Sequence, residues 1–135
     1  MITKFNHVAI VVPDLEEAAI KYKKVLGANV SKISDYPEHG VSVVFVELEN
    51  TKIELMFPYG ENSPIKKFLD KNKNGSIHHI CIEVDNIESE IKRIISNGIR
   101  VLNEKPKSGA DNKKICFLHP KDTCGVLIEL SQEIN

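Results

Sequence analysis

Two histidines and two glutamates occupy equivalent positions in two similar stretches of this chain. His7 begins the apolar run HVAIVV, and His79 begins the similar run HICIEV. Glu54 lies in the apolar segment IELM and Glu129 in the segment IEL, where an ionised carboxylate is costly unless it is paired or bound to a metal. Two imidazoles and two carboxylates are ligands that suit divalent ions such as Co²⁺, Mn²⁺, Ni²⁺, Zn²⁺ or Fe²⁺. The four residues therefore predict a metal site.

The spacing of these residues indicates a tandem duplication. The two histidines are 72 positions apart, as are the candidate helix caps Asp14 and Asn86, and the two glutamates are 75 positions apart. A constant offset with a small late insertion is typical of a duplicated half-domain. We expect the halves to bring their ligands together around one ion. Four protein ligands on an ion that prefers six leave two sites open, where a substrate with two neighbouring oxygens can bind.

Helices and strands are predicted in the same order in both halves. The first half has the predicted order β-α-β-β(-β), where the last strand is optional. Asp14 caps its helix and Gly27 ends it. The second half repeats this order, with Asn86 as the cap and Gly98 as the end. The expected elements are strands at 6–12, 41–48, 52–56, 77–84, 100–102, 114–118 and 125–130, and helices at 15–26 and 87–96. Their apolar helix faces consist of Leu15, Ala18, Ala19, Tyr22, Val25 and Leu26, and of Ile87, Ile91, Ile94 and Ile95.

The segment between the halves is predicted to pack as a connecting helix rather than to separate two domains. Ser63 followed by a proline resembles a helix N-cap with proline at the first helical position. We expect one domain over 1–135. Its parts are module one at about 3–58, the connecting helix at about 63–72 and module two at about 76–132.

Composition narrows the class of protein. With 135 residues, 41% of them hydrophobic, the chain can bury one core, and its net charge of −1 gives no electrostatic reason to bind nucleic acid or an anionic membrane. No apolar run approaches the ~20 residues of a membrane span. A strand begins by about Phe5, so no targeting peptide is expected before it. Three cysteines without CxxC spacing predict reduced thiols and a cytosol-like compartment.

Other polar residues rank below the four candidate ligands. His78 neighbours His79 in a strand and so points to the opposite sheet face, which favours a structural role. His39 and His119 fall in turns, where they can contact a substrate or water. The polar loop at 106–109 could reach a phosphate.

Several motifs together resemble a known family. The segments NHVA, PEHGV, NTKIEL, SPI, HHICIEVD, FLHPKD and GVL, with the paired His/Glu positions, are similar to the vicinal oxygen chelate superfamily, which includes glyoxalase I, extradiol dioxygenases and fosfomycin-resistance proteins. Within it the chain resembles the methylmalonyl-CoA epimerases, over essentially its whole length. The resemblance implies an α+β fold in which two tandem βαβββ modules form a half-open mixed β-barrel.

The resemblance also implies an activity. The expected reaction is metal-dependent interconversion of (2R)- and (2S)-methylmalonyl-CoA by removal and return of the C2 proton through a metal-stabilised enolate. Co²⁺ is the expected ion. The partner is an acyl-CoA thioester, and we expect a homodimer in the cytoplasm, or in the mitochondrial matrix if the protein is eukaryotic.

One departure from the family pattern concerns the bases. In some epimerases of this family a non-ligating Glu stands at the position of Val43, and a Gln at the position of Glu54. We therefore predict Glu129 and Glu54 as the two bases, each also at or near the metal. Glu47 is the alternative for the second base.

Three alternative functions compete with this interpretation. A glyoxalase I-type lyase would use the same ligands on a glutathione adduct. A non-catalytic small-molecule-binding member of the fold would typically lack the ligand set. An interaction domain with buried His and Glu would leave the duplicated placement unexplained.

Overall fold

The chain divides into two units. The computed structural model describes residues 1–109 and 112–134. The first unit comprises His7–His78, and the second comprises Met1–Asn6 together with the chain from His79 onward. Within the described residues, no helix has the length and apolar character needed to cross a membrane.

The first unit is built on a mixed sheet. Strand β5 is parallel to β1 on one side and antiparallel to β4 on the other, and β4 also pairs with β2 and β3. Because β2 and β3 both run along β4, they act as one edge strand with a break. The elements are β1 (Ile2–Val11), which belongs to this unit from His7 onward, α1 (Leu15–Ile20), β2 (Asn29–Val30), β3 (Ser34–Tyr36), β4 (Val41–Glu47), β5 (Lys52–Pro58) and α2 (Lys66–Lys71).

The predicted first helix is confirmed at its start and differs at its end. The Asp14 carboxylate accepts a hydrogen bond from the backbone N–H of Glu17, and Gly27 has a positive φ of 68°. After α1 the chain continues as a π-helical turn over Lys21–Val25. This wider turn changes the angular position of the residues beyond it, and Val25 and Leu26 are 77% and 67% exposed. Their predicted place on the buried face was therefore wrong.

The connecting helix is shorter than predicted and begins differently. Its N-cap is Ile65, which makes no side-chain capping bond. The predicted Ser63 cap was wrong, because the helix begins two residues later than that cap requires. The Ser63 hydroxyl accepts a long hydrogen bond from the backbone N–H of Ile65 at 3.4 Å, before the helix, and donates to the backbone carbonyl of Gly40 at 2.5 Å. Ser63 fastens the start of this segment to the turn that precedes β4. The apolar residues Ile65, Phe68 and Leu69 pack on the sheet as expected.

The second unit repeats this arrangement. Strand β9 is parallel to β6 and antiparallel to β8, which also pairs with β7. The strand predicted at 100–102 is a single bridge between Val101 and Leu118, so this edge is broken in the same way as in the first unit. The elements are β6 (Ser76–Val84), which belongs to this unit from His79 onward, α3 (Ile87–Ser96), β7 (Lys107–Gly109), β8 (Lys113–Leu118) and β9 (Ile128–Glu133).

Helix α3 covers one face of the second sheet. The Asn86 side chain caps it by accepting from the backbone N–H of Ser89, as predicted, and Gly98 follows it with a φ of 87°. Three of its four predicted apolar residues are buried, and the fourth, Ile95, is 41% exposed. The core under the helix consists of Val84, Ile87, Ile91, Ile94, Cys116, Leu118 and Leu130.

The burial of Ile91 gives a first expected result. Ile91 is 2% exposed, so Ile91→Ala removes buried methyl and methylene groups and leaves a cavity under α3. We expect a loss of about 2–5 kcal/mol in the free energy of unfolding, measured by urea denaturation. Ile95→Ala in the same helix is the matched control and should cost little, since Ile95 is already 41% exposed. Equal losses in the two variants would contradict this packing.

Candidate metal centre and active site

The first unit holds one His–Glu pair on a single sheet face. Parallel pairing of β1 with β5 aligns Ala9 with Glu54, and His7 lies two residues before Ala9 on the same face. The His7 Nε2 and Glu54 Oε1 atoms are 3.6 Å apart. Both side chains are buried, as are several apolar residues of the same strands, although both are ionisable.

The second unit holds the equivalent pair. Parallel pairing of β6 with β9 aligns Cys81 with Glu129, and His79 lies two residues before Cys81. The His79 Nε2 and Glu129 Oε1 atoms are 3.5 Å apart, and both residues are buried. In both units the nitrogen–oxygen distance is longer than an ordinary hydrogen bond. The structure thus brings together each predicted histidine with the predicted glutamate of the same half.

An aromatic residue stands across from each glutamate, which the sequence reasoning missed. Phe45 of β4 is directly opposite Glu54, and Phe117 of β8 is directly opposite Glu129. The Phe117 ring meets the His79 ring edge-on, with 5.4 Å between centroids. The two phenylalanines are 72 positions apart, the same offset as the histidines, so the duplication could have indicated them.

The two pairs differ in the residue beside the glutamate. Ala9 is the neighbour of Glu54, whereas Cys81 is the neighbour of Glu129. The Cys81 thiol donates to the Ser131 hydroxyl at 3.3 Å. Burial raises the pKa of this thiol, and the negative charge of Glu129 raises it further, so Cys81 remains a neutral thiol near pH 7. Only the second pair has a polar group at this position.

Whether the four residues fit a metal ion depends on which charged side chains are buried and on what donor atoms they provide. Among the described residues, one further charged side chain is buried with them, Glu90. Its carboxylate accepts from Arg93 and lies 2.8 Å from the Met1 ammonium. The remaining buried charged or imidazole side chains are two histidines and two glutamates, and these four residues, together with the Cys81 thiol, are possible metal ligands. The oxygen and nitrogen donor set of the four residues fits a divalent ion.

The pairing of β4 with β5 shows which sheet face Glu47, the alternative base, occupies. Glu47 is opposite Lys52, two residues along from Phe45, and therefore shares the face of Glu54. Glu47 is exposed, in contrast to Glu54. Val43 lies on the same face opposite Met56 and is 2% exposed. The position where some family members have a glutamate is therefore part of the apolar core of this unit.

The other three histidines make separate contacts. The His78 ring packs edge-on against Phe68, with 4.8 Å between centroids, which agrees with its predicted structural role. His39 lines an open cavity of about 400 Å³ between the segments 37–40 and 59–64. His119 Nδ1 accepts from the backbone N–H of Lys121 and so caps a short turn.

Comparisons with known proteins identify the family. Residues 6–117 match the Glyoxalase/Bleomycin resistance protein/Dioxygenase superfamily. The chain is 59% identical over 129 residues to the mitochondrial methylmalonyl-CoA epimerase of Homo sapiens, with 96% of this chain and 73% of that protein covered. It is 55% identical over 133 residues to the ethylmalonyl-CoA/methylmalonyl-CoA epimerase of Cereibacter sphaeroides, with coverage of 98% and 99%.

A solved structure agrees with these sequence relatives. It is a methylmalonyl-CoA epimerase in complex with methylmalonyl-CoA and NH4+, and its TM-score is 0.89 at 30% sequence identity. The match covers 98% of this chain and 96% of that chain. The predicted α+β, glyoxalase-like fold is thereby confirmed. Because the similarity spans nearly the whole of both chains, this protein belongs to the methylmalonyl-CoA epimerase family of the glyoxalase superfamily.

Proposed function

We propose that this protein is an isomerase that interconverts the (2R) and (2S) forms of methylmalonyl-CoA. The observation that carries the proposal is one buried His–Glu pair in each of two units with the same element order, in a chain 59% identical to an epimerase of that name. The reaction is proton transfer at a carbon between a carboxylate and a thioester. It needs bases, and it needs stabilisation of the negative charge that develops on the thioester oxygen.

The two bases are Glu129 and Glu54. One carboxylate removes the C2 proton, and the other returns a proton to the opposite face of the planar enolate. The roles are exchanged when the reaction runs in reverse. Both carboxylates are about nine-tenths buried, which excludes most of the water that would compete for the proton. The proposal assigns the second base to Glu54 rather than to Glu47 because Glu47 is exposed.

The four residues His7, Glu54, His79 and Glu129 would hold one divalent ion, with Co²⁺ as the first candidate and Mn²⁺, Ni²⁺, Zn²⁺ or Fe²⁺ as alternatives. When bound, the ion supplies Lewis acidity toward the oxygens of the substrate. Dependence on a metal agrees with the glyoxalase superfamily and with the buried donor set. The two carboxylates also balance the charge of the ion.

The proposal includes the assembly and location of the protein. The chain 1–135 acts as a single domain. Its activity requires module one at about 3–58, the connecting helix at about 63–72 and module two at about 76–132. It forms a homodimer. It acts in the cytoplasm, or in the mitochondrial matrix if the protein is eukaryotic, since the human relative is mitochondrial.

The experiment that tests this function is deuterium exchange at C2 of methylmalonyl-CoA in D₂O, followed by NMR. Metal-stripped protein should neither exchange nor epimerise the substrate, and adding Co²⁺ should restore both activities together. Ethylmalonyl-CoA should be assayed in parallel, because the C. sphaeroides relative is named for both thioesters. Absence of exchange with every divalent ion tested would reject the proposal. Turnover of a glutathione hemithioacetal in its place would favour a glyoxalase I-type lyase.

A further inference from the structure

Lys52 is a positively charged residue on the face of the first sheet that carries the His–Glu pair. In the ladder between β1 and β5, Lys52 is the direct partner of His7, and it lies two residues before Glu54. Alternate residues of a strand point to the same side, so the three side chains share one face. The Lys52 and Glu54 Cα atoms are separated by about 7 Å along the strand.

Lys52 is directly opposite Glu47 on β4, but its side chain extends over Phe45, toward the pair. Its Nζ atom lies over the ring of Phe45, 4.9 Å from the ring centroid. Phe45 is directly opposite Glu54 in the ladder. The Lys52 ammonium group therefore lies over the direct neighbour of Glu54, the candidate base. A cation over an aromatic face is attracted by the negative face of the ring. Lys52 is half-buried, whereas many lysines of this chain are exposed.

A cation at this place meets a chemical need of the proposed reaction. The malonyl group brings one carboxylate to a site that already contains two glutamates, and further negative charge develops when the C2 proton leaves. We infer that Lys52 binds the carboxylate of the acyl group of the substrate; this inference rests on the proposed epimerase function. A charge-assisted hydrogen bond from the ammonium to this carboxylate fixes the C2–H bond relative to the bases.

The position of Lys52 favours the acyl carboxylate over the phosphates of coenzyme A. The phosphates are separated from the thioester by the whole pantetheine arm. Lys52 is a direct ladder partner of His7 and a close neighbour of Glu54, so it lies at the reacting end of the substrate. A lysine that serves the phosphates is expected beyond the far end of that arm.

The test compares two ligands and three variants. Binding of malonyl-CoA and of propionyl-CoA, which lacks the carboxylate, is measured by calorimetry with Co²⁺-loaded protein. Lys52→Met should weaken malonyl-CoA binding about tenfold or more and leave propionyl-CoA binding unchanged. Lys52→Arg should keep most of the affinity for malonyl-CoA because it keeps the charge. Lys92→Met, at an exposed position of α3, is the matched control and should change neither affinity.

The possible results separate this inference from the proposed function. Equal weakening of both ligands would assign Lys52 to the coenzyme A portion and overturn the inference, as would unchanged binding of both. Loss of bound cobalt in Lys52→Met would also overturn it, since the residue would then act through the metal centre. If the wild-type protein fails to epimerise its substrate, the proposed function fails, and the comparison of the two ligands still decides the role of Lys52.

Discussion

Replacing Glu129 by Gln is expected to lower the rate of epimerisation by about 10² to 10⁴-fold, the range typical of losing a positioned general base. The change keeps the shape of the side chain, and its amide oxygen can still donate electrons to a metal ion. It removes the ability to accept a proton. Glu129 is 8% exposed and is enclosed by β6 and β8, so water is poorly placed to substitute for it.

The measurement for Glu129→Gln has two parts. Epimerisation is followed by a coupled assay that consumes one stereoisomer, and the metal content of the purified variant is determined by mass spectrometry. A large loss of rate with bound metal retained identifies Glu129 as a base. Glu133→Gln is the matched control, because Glu133 lies on the same strand and the same face but is exposed. A Glu129→Gln variant with normal turnover would contradict the assignment.

Replacing Glu54 by Gln is expected to separate proton exchange from epimerisation. If each glutamate serves one face of the enolate, this variant still has the base on the other face. It should exchange the C2 proton of one stereoisomer with solvent while losing epimerisation by about 10² to 10⁴-fold. The opposite isomer should neither exchange nor react. NMR in D₂O with each pure stereoisomer measures both outcomes in a single experiment.

Two further variants make the Glu54 result specific. Glu49→Gln is a control at an exposed position between β4 and β5. It removes one negative charge from the same hairpin and should behave as wild type. Glu47→Gln tests the alternative base on the same sheet face. Normal epimerisation by Glu54→Gln, combined with a large loss in Glu47→Gln, would transfer the role of second base to Glu47. Ligation by residue 54 would remain open in that case.

The two candidate glutamates could be predicted because each conflicts with its surroundings in the sequence, and the two candidate histidines because they occupy duplicated positions. Glu54 and Glu129 are single charges within apolar strands, and the structure buries both. Their equivalence within the duplication was also visible, since the offsets of the histidines and of the helix caps agree. The capping roles of Asp14 and Asn86 followed from local chemistry alone, and both are confirmed.

Features that depend on register and tertiary packing could not be predicted in the same way. Whether Glu47 shares the face of Glu54 depends on the turn between β4 and β5, because a shift of one residue reverses the face. The π-helical turn after α1 has no distinct local signal, and it exposes Val25 and Leu26. Ser63 has the local pattern of an N-cap, but its hydroxyl is tied to the Gly40 carbonyl, a contact distant in sequence, and the helix begins only after Ile65.

The difference between Ala9 and Cys81 has a thermodynamic consequence. It is the polar asymmetry between two otherwise equivalent His–Glu pairs. The two substrate stereoisomers differ only at C2, and the ratio of kcat/KM in the two directions must equal their equilibrium constant whatever surrounds each base. A thiol beside one glutamate therefore cannot favour one direction of the reaction. It can change both kcat/KM values only by the same factor, and it can change how each value is divided between kcat and KM, so that one stereoisomer saturates the enzyme at a lower concentration than the other.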